Sequence, residues 1–269
     1  MSAQDKDEFG NRMKTYERAD TGRRAERGLP IVARLDGKSF HTFTKGLKRP
    51  FDMRLTNLMI DTMLFMVERT GADLGYVQSD EISLTWYVPA NSPAEYLYGG
   101  RFQKMDSLLA AMCTAFFNKQ LAAALPEKAD AMPVFDCRTF SVPSIDEAVN
   151  AFVWRQQDCL KNAISMAAQS MFSHKSLQGL SGKDMLAKME AADFDFYETP
   201  AAFRHGTFGK RATKDVRPSA ELVEMLTSKG LPVPDRISRT VMEQSNVVLA
   251  AQPTQALRSW MVFGDKIHA

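Results

Sequence analysis

Apolar residues follow different rhythms in different parts of this chain. From Leu29 to Gly37 they are nearly continuous and partly β-branched, which predicts a central strand covered on both faces and ending at Asp36. From Met53 to Thr70 the rhythm becomes helical. Leu55, Leu58, Met59, Thr62, Met63, Met66 and Val67 fall on one face, and Gly71 supplies a stop. This Met-rich face predicts packing against a sheet rather than a cofactor box. Asp73 to Val88 predicts two strands around a polar tip at Ser79, Asp80 and Glu81, with Ile82, Leu84 and Trp86 alternating after it. Arg101 to Leu125 contains neither proline nor glycine and predicts a second helix, and Pro133 to Val142 a fourth strand. Further on, the pattern predicts a long helix over Asp146 to Phe172, a helix N-cap at Ser181 with Asp184, a helix over Ser219 to Lys229 and a strand in "SNVVLAAQ".

The resulting order, β, α, β, β, α, β, constrains topology. A right-handed crossover makes the first two strands parallel, and the hairpin return makes the third antiparallel to both. With the third inserted between them, as in a split β-α-β sheet, the end of the first strand and the hairpin tip share an edge. Asp36 and Asp80 then converge, with Glu81 beside them. An Asp-Gly pair is also ordinary turn chemistry, but converging carboxylates repel unless a cation lies between them, and hard oxygen ligands suit Mg²⁺. Two such ions can activate an attacking hydroxyl and neutralise a triphosphate. Cations to hold that triphosphate are available in Arg101 and Lys104, on the first turn of the second helix, and in Lys48 and Arg49.

Composition narrows the class. The 269 residues are 45% hydrophobic, enough for one large domain or two small ones. No apolar run reaches the roughly twenty residues of a membrane span, and the acidic start "MSAQDKDEFG" does not resemble a signal peptide. Cys113, Cys137 and Cys159 are too few and too scattered for a disulfide framework or a CxxC metal site, so reduced thiols in a cytoplasmic protein are expected. His174 and His268 lack ligand-spaced partners, and Cys159 is expected to pack. With 34 basic and 32 acidic residues, any anion binding must be local. Basic residues cluster around Arg23, Arg24 and Arg27, in Lys45 to Pro50, and in Phe203 to Lys214.

The segments "RLDGKSFHTF", "KRPFDMRLTNLM", "GYVQSDEISLTW", "RFQKM", "VFDCRTFSVPSIDEAVNAFVWRQQDC" and "FRHGTF" resemble, in order, the motifs of the tRNA(His) guanylyltransferase family and its tRNA-repair relatives, from about Met13 to Lys210. The resemblance implies an α/β (α+β) fold with a polymerase-palm-like, ferredoxin-like antiparallel sheet. It further implies a nucleotidyltransferase that extends the 5′ end of tRNA or tRNA-like RNA in the 3′-to-5′ direction, typically by G, using two Mg²⁺ ions and the substrates GTP and ATP. By position, Asp36, the Gly37 carbonyl and Asp80 match the metal ligands. Lys38, Ser39, Phe40, His41, Ser79 and Glu81 match the nucleotide-binding segments; Arg49 or Lys48 matches a lysine near triphosphate; Arg101 and Lys104 match a basic pair for a second triphosphate. A homo-oligomer, a tetramer in the family, and tRNA or other structured RNA are the implied partners, with no membrane.

Asp158 and Asn162 match an RNA-binding motif whose histidine is replaced by Leu160, and a leucine cannot hydrogen-bond an anticodon base. A repair-type enzyme with broader RNA choice is therefore an option, and Arg204, Lys210 and Arg211 would grip RNA phosphate. The expected organisation is a catalytic region at 1–142, a helix-plus-strand region completing the family core at 143–212, and an extension of unknown role at 213–269. Two rivals remain: a nucleotide cyclase-like palm enzyme acting on GTP, and a non-catalytic RNA-binding module.

Overall fold

The computed structural model describes residues 3–268, and the side chains of residues 8–267. After an N-terminal helix α1 (Ala3–Thr21), the elements are β1 (Ile31–Gly37), a single turn α2 (Phe40–Phe43), α3 (Met53–Thr70), β2 (Leu74–Gln78), β3 (Glu81–Trp86), α4 (Phe102–Ala124), β4 (Phe135–Ser141) and α5 (Ile145–Met171). Apart from α1 and α2, which that rhythm does not mark, these sit within a few residues of the positions that the apolar rhythm predicts. There follow α6 (His174–Leu177), α7 (Gly182–Glu190), α8 (Ala201–His205), β5 (Thr207–Val216), α9 (Ala220–Ser228), β6 (Ile237–Ser245) and α10 (Gln255–Phe263). Ser181 and Asp184 form a reciprocal capping box at α7, as their spacing predicts.

The strands form one sheet in the order β4-β1-β3-β2-β5-β6. Every hydrogen-bonded pair is antiparallel, so β1 and β2 run parallel on either side of β3. That is the split β-α-β arrangement. Alternation along β1 divides the core in two. Ile31, Ala33 and Leu35 face α3 and α4, whereas Val32 packs with Ala148, Val149 and Phe152 of α5. The later part of α5 joins α7 and the residues around Phe196 in a third cluster that includes Leu160.

The C-terminal part departs from the expected pattern. β5 and β6 pair from Phe208↔Ser245 to Val216↔Ile237, so the strand lies upstream of "SNVVLAAQ" and β5 runs through residue 212. Leu249–Ala251 is a short 3-10 turn instead. Its β-branched approach, Val247 and Val248, imitates a strand, but the Leu249 N–H donates to the Gln156 side chain, and Leu249 is buried against α5.

The loop leading into α3 is set by one buried carboxylate. Asp52 caps the helix by accepting from the Arg54 N–H, accepts from Lys48 N, and is gripped by the Arg54 guanidinium at 2.7 Å. Chiefly through that guanidinium, the carboxyl falls from 3.8 to about 2. A depressed folded-state pKa stabilises above the unfolded value and is lost as pH falls through the folded one. At about 1.4 kcal/mol per unit, the stabilisation amounts to about 2 kcal/mol. Asp52→Ala should therefore destabilise by about 2 kcal/mol at neutral pH. Its stability curve should also be flatter than wild type as pH falls from about 4 to about 2; equal acid limbs in denaturant titrations would refute the assignment.

Candidate active site

The register of the sheet builds the site. Gln78↔Glu81, Glu81↔Asp36 and Asp36↔Asp136 are direct cross-strand partners, so four polar side chains form a row on the α5 side of the sheet where β1 ends. Asp80 joins them from the hairpin tip, and its carbonyl accepts from the Gly37 N–H at 3.2 Å. The convergence of Asp36 and Asp80 follows from the topology. Burial, aided by the charges of Asp36 and Glu81, pushes the Asp80 carboxyl upward, while a hydrogen bond from Ser79 Oγ at 3.1 Å opposes the shift.

Backbone strain surrounds these acids. Ser39 and Ser79 both adopt left-handed conformations, at φ 56° and 48°. Non-glycine residues seldom hold this geometry without support from their surroundings. Gly37 is required for a different reason: a Cβ there would lie 2.3 Å from the Phe40 ring. That ring is buried among Phe43, Phe117 and Phe135, so Phe40 fixes the turn from within the core.

The acids border two adjoining cavities. One, of about 360 Å³, is lined by Asp36, Asp80, Glu81, Arg155, Asn162 and Ser165 among others. The other, of about 400 Å³, carries His41, Lys48 and Arg49 on one side and the apolar Leu55, Met59 and Phe203 elsewhere. Phe51 and Phe203 lie 4.7 Å apart between ring centroids in its wall. Gln78, Ser79, Asp80, Asn162 and Met166 border both cavities, so a ligand in the larger one can extend to the acids.

Glu81 is held rather than free. Arg155 of α5 donates to both of its oxygens at 2.6 and 2.7 Å, and the same guanidinium reaches Asp158 at 2.9 Å. Asn162 in turn donates to Asp158. Arg155 and Asp136 are the site residues that the sequence reading missed. Signals for both existed: Asp136 alternates outward on a predicted strand, and Arg155 stands one helical turn before Asp158.

Other expected residues lie elsewhere. Arg101 and Lys104 are exposed at the start of α4, where Arg101 bridges to Arg24, whereas Phe117 of the same helix packs under Phe40. The offset of sixteen positions from Arg101 to Phe117 corresponds to about 24 Å of helix, so the pair sits towards the opposite end of the sheet from Asp36. Lys38 is exposed beside the turn, its N–H bonded to Val134 O. Arg204 donates to Thr199 O, Arg211 to Gly71 O, and Lys210 approaches Met261 O at 3.5 Å.

Among the described residues, no group of three or more His, Cys, Asp or Glu side chains forms a ready metal cage. The groups that could hold a cation here are the Asp36 and Asp80 carboxylates and the Gly37 carbonyl, and burial disfavours the charged form of Asp80. That set fits Mg²⁺, which keeps much of its shell for water and substrate phosphates. No described helix is long and apolar enough to cross a membrane.

Comparison with known proteins agrees with this architecture. The family described as tRNAHis guanylyltransferase (Thg1) matches residues 10–143. A solved bacterial tRNA(His) guanylyltransferase (Thg1)-like protein in complex with ATP is 38% identical, with a TM-score of 0.70 over 74% of this chain and 87% of that one. A solved bacterial tRNA(His) guanylyltransferase (Thg1)-like structure in complex with GTP is 29% identical, with a TM-score of 0.69 over 90% of this chain and 94% of that one. The tRNA(His) guanylyltransferase of Schizosaccharomyces pombe is 35% identical over 55% of this chain and 54% of its own length. With the palm-like sheet, the converging acids and these relatives together, the chain belongs to the tRNA(His) guanylyltransferase (Thg1) family of enzymes.

Proposed function

We propose that this enzyme adds a nucleotide, typically G, to the 5′ end of tRNA or a tRNA-like RNA in the 3′-to-5′ direction. The observation that carries the reading is the meeting of Asp36 and Asp80 on the smaller cavity, which shares Asp80 with an adjoining one of about 400 Å³, a volume suited to one nucleotide. Lys48 and Arg49 give the triphosphate cationic partners and His41 a hydrogen-bonding one, while the Phe51 and Phe203 wall receives the base. The left-handed turns at Ser39 and Ser79 fix the two backbone segments between which the phosphates pass. Two Mg²⁺ ions at Asp36, the Gly37 carbonyl and Asp80 would supply charge neutralisation and activation of the attacking hydroxyl. Arg155 holds Glu81 away from the phosphates and keeps the acid row in register.

The direct test incubates 5′-monophosphate and 5′-triphosphate RNAs with labelled GTP, with and without ATP, and reads the product on a sequencing gel. RNA lengthened by one or more nucleotides at its 5′ end is expected. Cyclic monophosphate from GTP without RNA would instead identify a cyclase.

Arg101 and Lys104 belong, in this reading, to a second triphosphate site distinct from the acid row. Charge removal at an exposed helix face changes stability little, whereas loss of a phosphate clamp weakens nucleotide use. The double alanine variant should raise the apparent KM for nucleotide about tenfold, equivalent to about 1.4 kcal/mol, with an unchanged melting temperature. Unaltered nucleotide kinetics would return both residues to the solvated surface.

RNA choice follows from Leu160, which packs half-buried in the third core cluster beside the exposed Asn162. With no polar atom there to read a base, 5′-truncated tRNAs differing only in anticodon should be extended within about tenfold of one another, that is within about 1.4 kcal/mol. A larger preference for the His anticodon in a competition assay would show that another residue does the reading.

A further inference from the structure

We infer that the C-terminal segment 246–268 is a working part of the catalytic site, acting through Gln156 and Asn246 as positioning residues. The inference rests on the reading of the acid row as the site of nucleotidyl transfer. Gln156 follows Arg155 on α5, about 100° further round the helix, and it is 4% exposed. All of its amide is used: Nε2 donates to His205 O at 3.0 Å and Val247 O at 2.8 Å, and Oε1 accepts from Leu249 N at 2.8 Å. One side chain thus joins three backbone segments, and no isosteric apolar residue can replace it without stranding buried backbone groups.

Asn246 completes the clamp. Its Nδ2 donates to Gly206 O at 2.7 Å and to Thr207 Oγ1 at 2.8 Å. From the other side, Tyr76 Oη donates to His205 O at 2.9 Å and presses so close to Gly206 that a Cβ there would lie 2.5 Å from the hydroxyl. Thr207 and Phe203 line the larger cavity, and Cys159, on the turn of α5 after Arg155, also borders it while its thiol approaches Phe203 O. Farther along, the segment is fastened to the remaining edges of the fold. Ser259 Oγ donates to Asp146 at the start of α5, and Lys266 Nζ donates to Asp73 Oδ1 and Tyr87 O.

The mechanical consequence runs in two directions from the clamp. Along α5 it reaches Arg155, which holds Glu81 in the acid row; through His205 to Thr207 it reaches the cavity wall. None of the segment's described residues lines either cavity, so its effect on the reaction passes through these two supports.

The test uses the full chain carrying Gln156→Met or, at an exposed position where folding is safe, Asn246→Ala. Hydrogen exchange is measured over 78–82 and 203–207, and kcat and KM for GTP are measured with 5′-triphosphate RNA. Faster exchange in both peptides and a kcat lowered at least tenfold, with KM changed less than about threefold and the melting temperature of Asn246→Ala within a few degrees of wild type, are expected. Unchanged exchange at 78–82 overturns the coupling. Faster exchange with an unchanged kcat overturns the positioning role. An inactive wild-type chain would count against the transfer reading itself, and the exchange data would still decide the coupling.

Discussion

Asp80→Ala is expected to lower nucleotidyl transfer about a thousandfold or more, about 4 kcal/mol of transition-state stabilisation, while leaving the protein folded. Asp36→Ala should do the same. Asp36 stands at the end of β1 and Asp80 at the hairpin tip, and neither belongs to the hydrophobic core, so truncation opens no cavity. The stability expectation has a definite sign for Asp80. Burial and the neighbouring charges of Asp36 and Glu81 disfavour its ionised form in the fold. Removing the carboxylate relieves that conflict, so the melting temperature of Asp80→Ala should equal or exceed that of wild type when measured without divalent ions. Loss of activity together with a substantial fall in melting temperature would mean that the side chain serves the fold. Turnover within tenfold of wild type would remove it from the reaction altogether.

Arg155→Met is expected to cost about 3 kcal/mol of stability and most of the activity, because it strands Glu81. The pair is largely shielded, with side chains 11% and 10% exposed, and it is bidentate. An uncompensated Glu81 would stand in register beside Asp36 and next to Asp80, with Arg138, already paired to Asp136, as a nearby cation that feels the charges of Asp36 and Glu81. Glu81→Gln combined with Arg155→Met should recover most of the stability, since both charges then leave together. Additive losses in that double-mutant cycle would show that Arg155 acts through packing against Trp154, whose ring centroid lies 4.6 Å from its guanidinium carbon, and not through Glu81.

These two experiments probe different kinds of information. Asp36 and Asp80 stand out in the sequence because an acid at a strand end and an acid at a hairpin tip are local features, and the order of elements alone brings them together. Arg155 stands out only weakly. Its partner lies 74 positions away, and the pairing depends on how α5 crosses the sheet, which periodicity does not specify. Asp136 was likewise visible as an outward residue, but its place beside Asp36 required the β1–β4 register.

Local physics accounts for much of what the sequence by itself determined. Helical and alternating apolar patterns marked α3, α4, α5 and the β2–β3 hairpin, and the element order dictated a split β-α-β sheet with its acids at one edge. The tertiary structure decided what depends on distant partners. It put Phe40 in the core beneath Gly37, separated Arg101 and Lys104 from the acids by the length of a helix, and moved the last strand upstream of "SNVVLAAQ". The reason is the same in each case: strand edges, buried amides and ion pairs are satisfied by whichever groups the packed chain brings within hydrogen-bond reach. For Leu249 that group was the side chain of Gln156, 93 residues earlier, and no pattern read along the chain contains that contact.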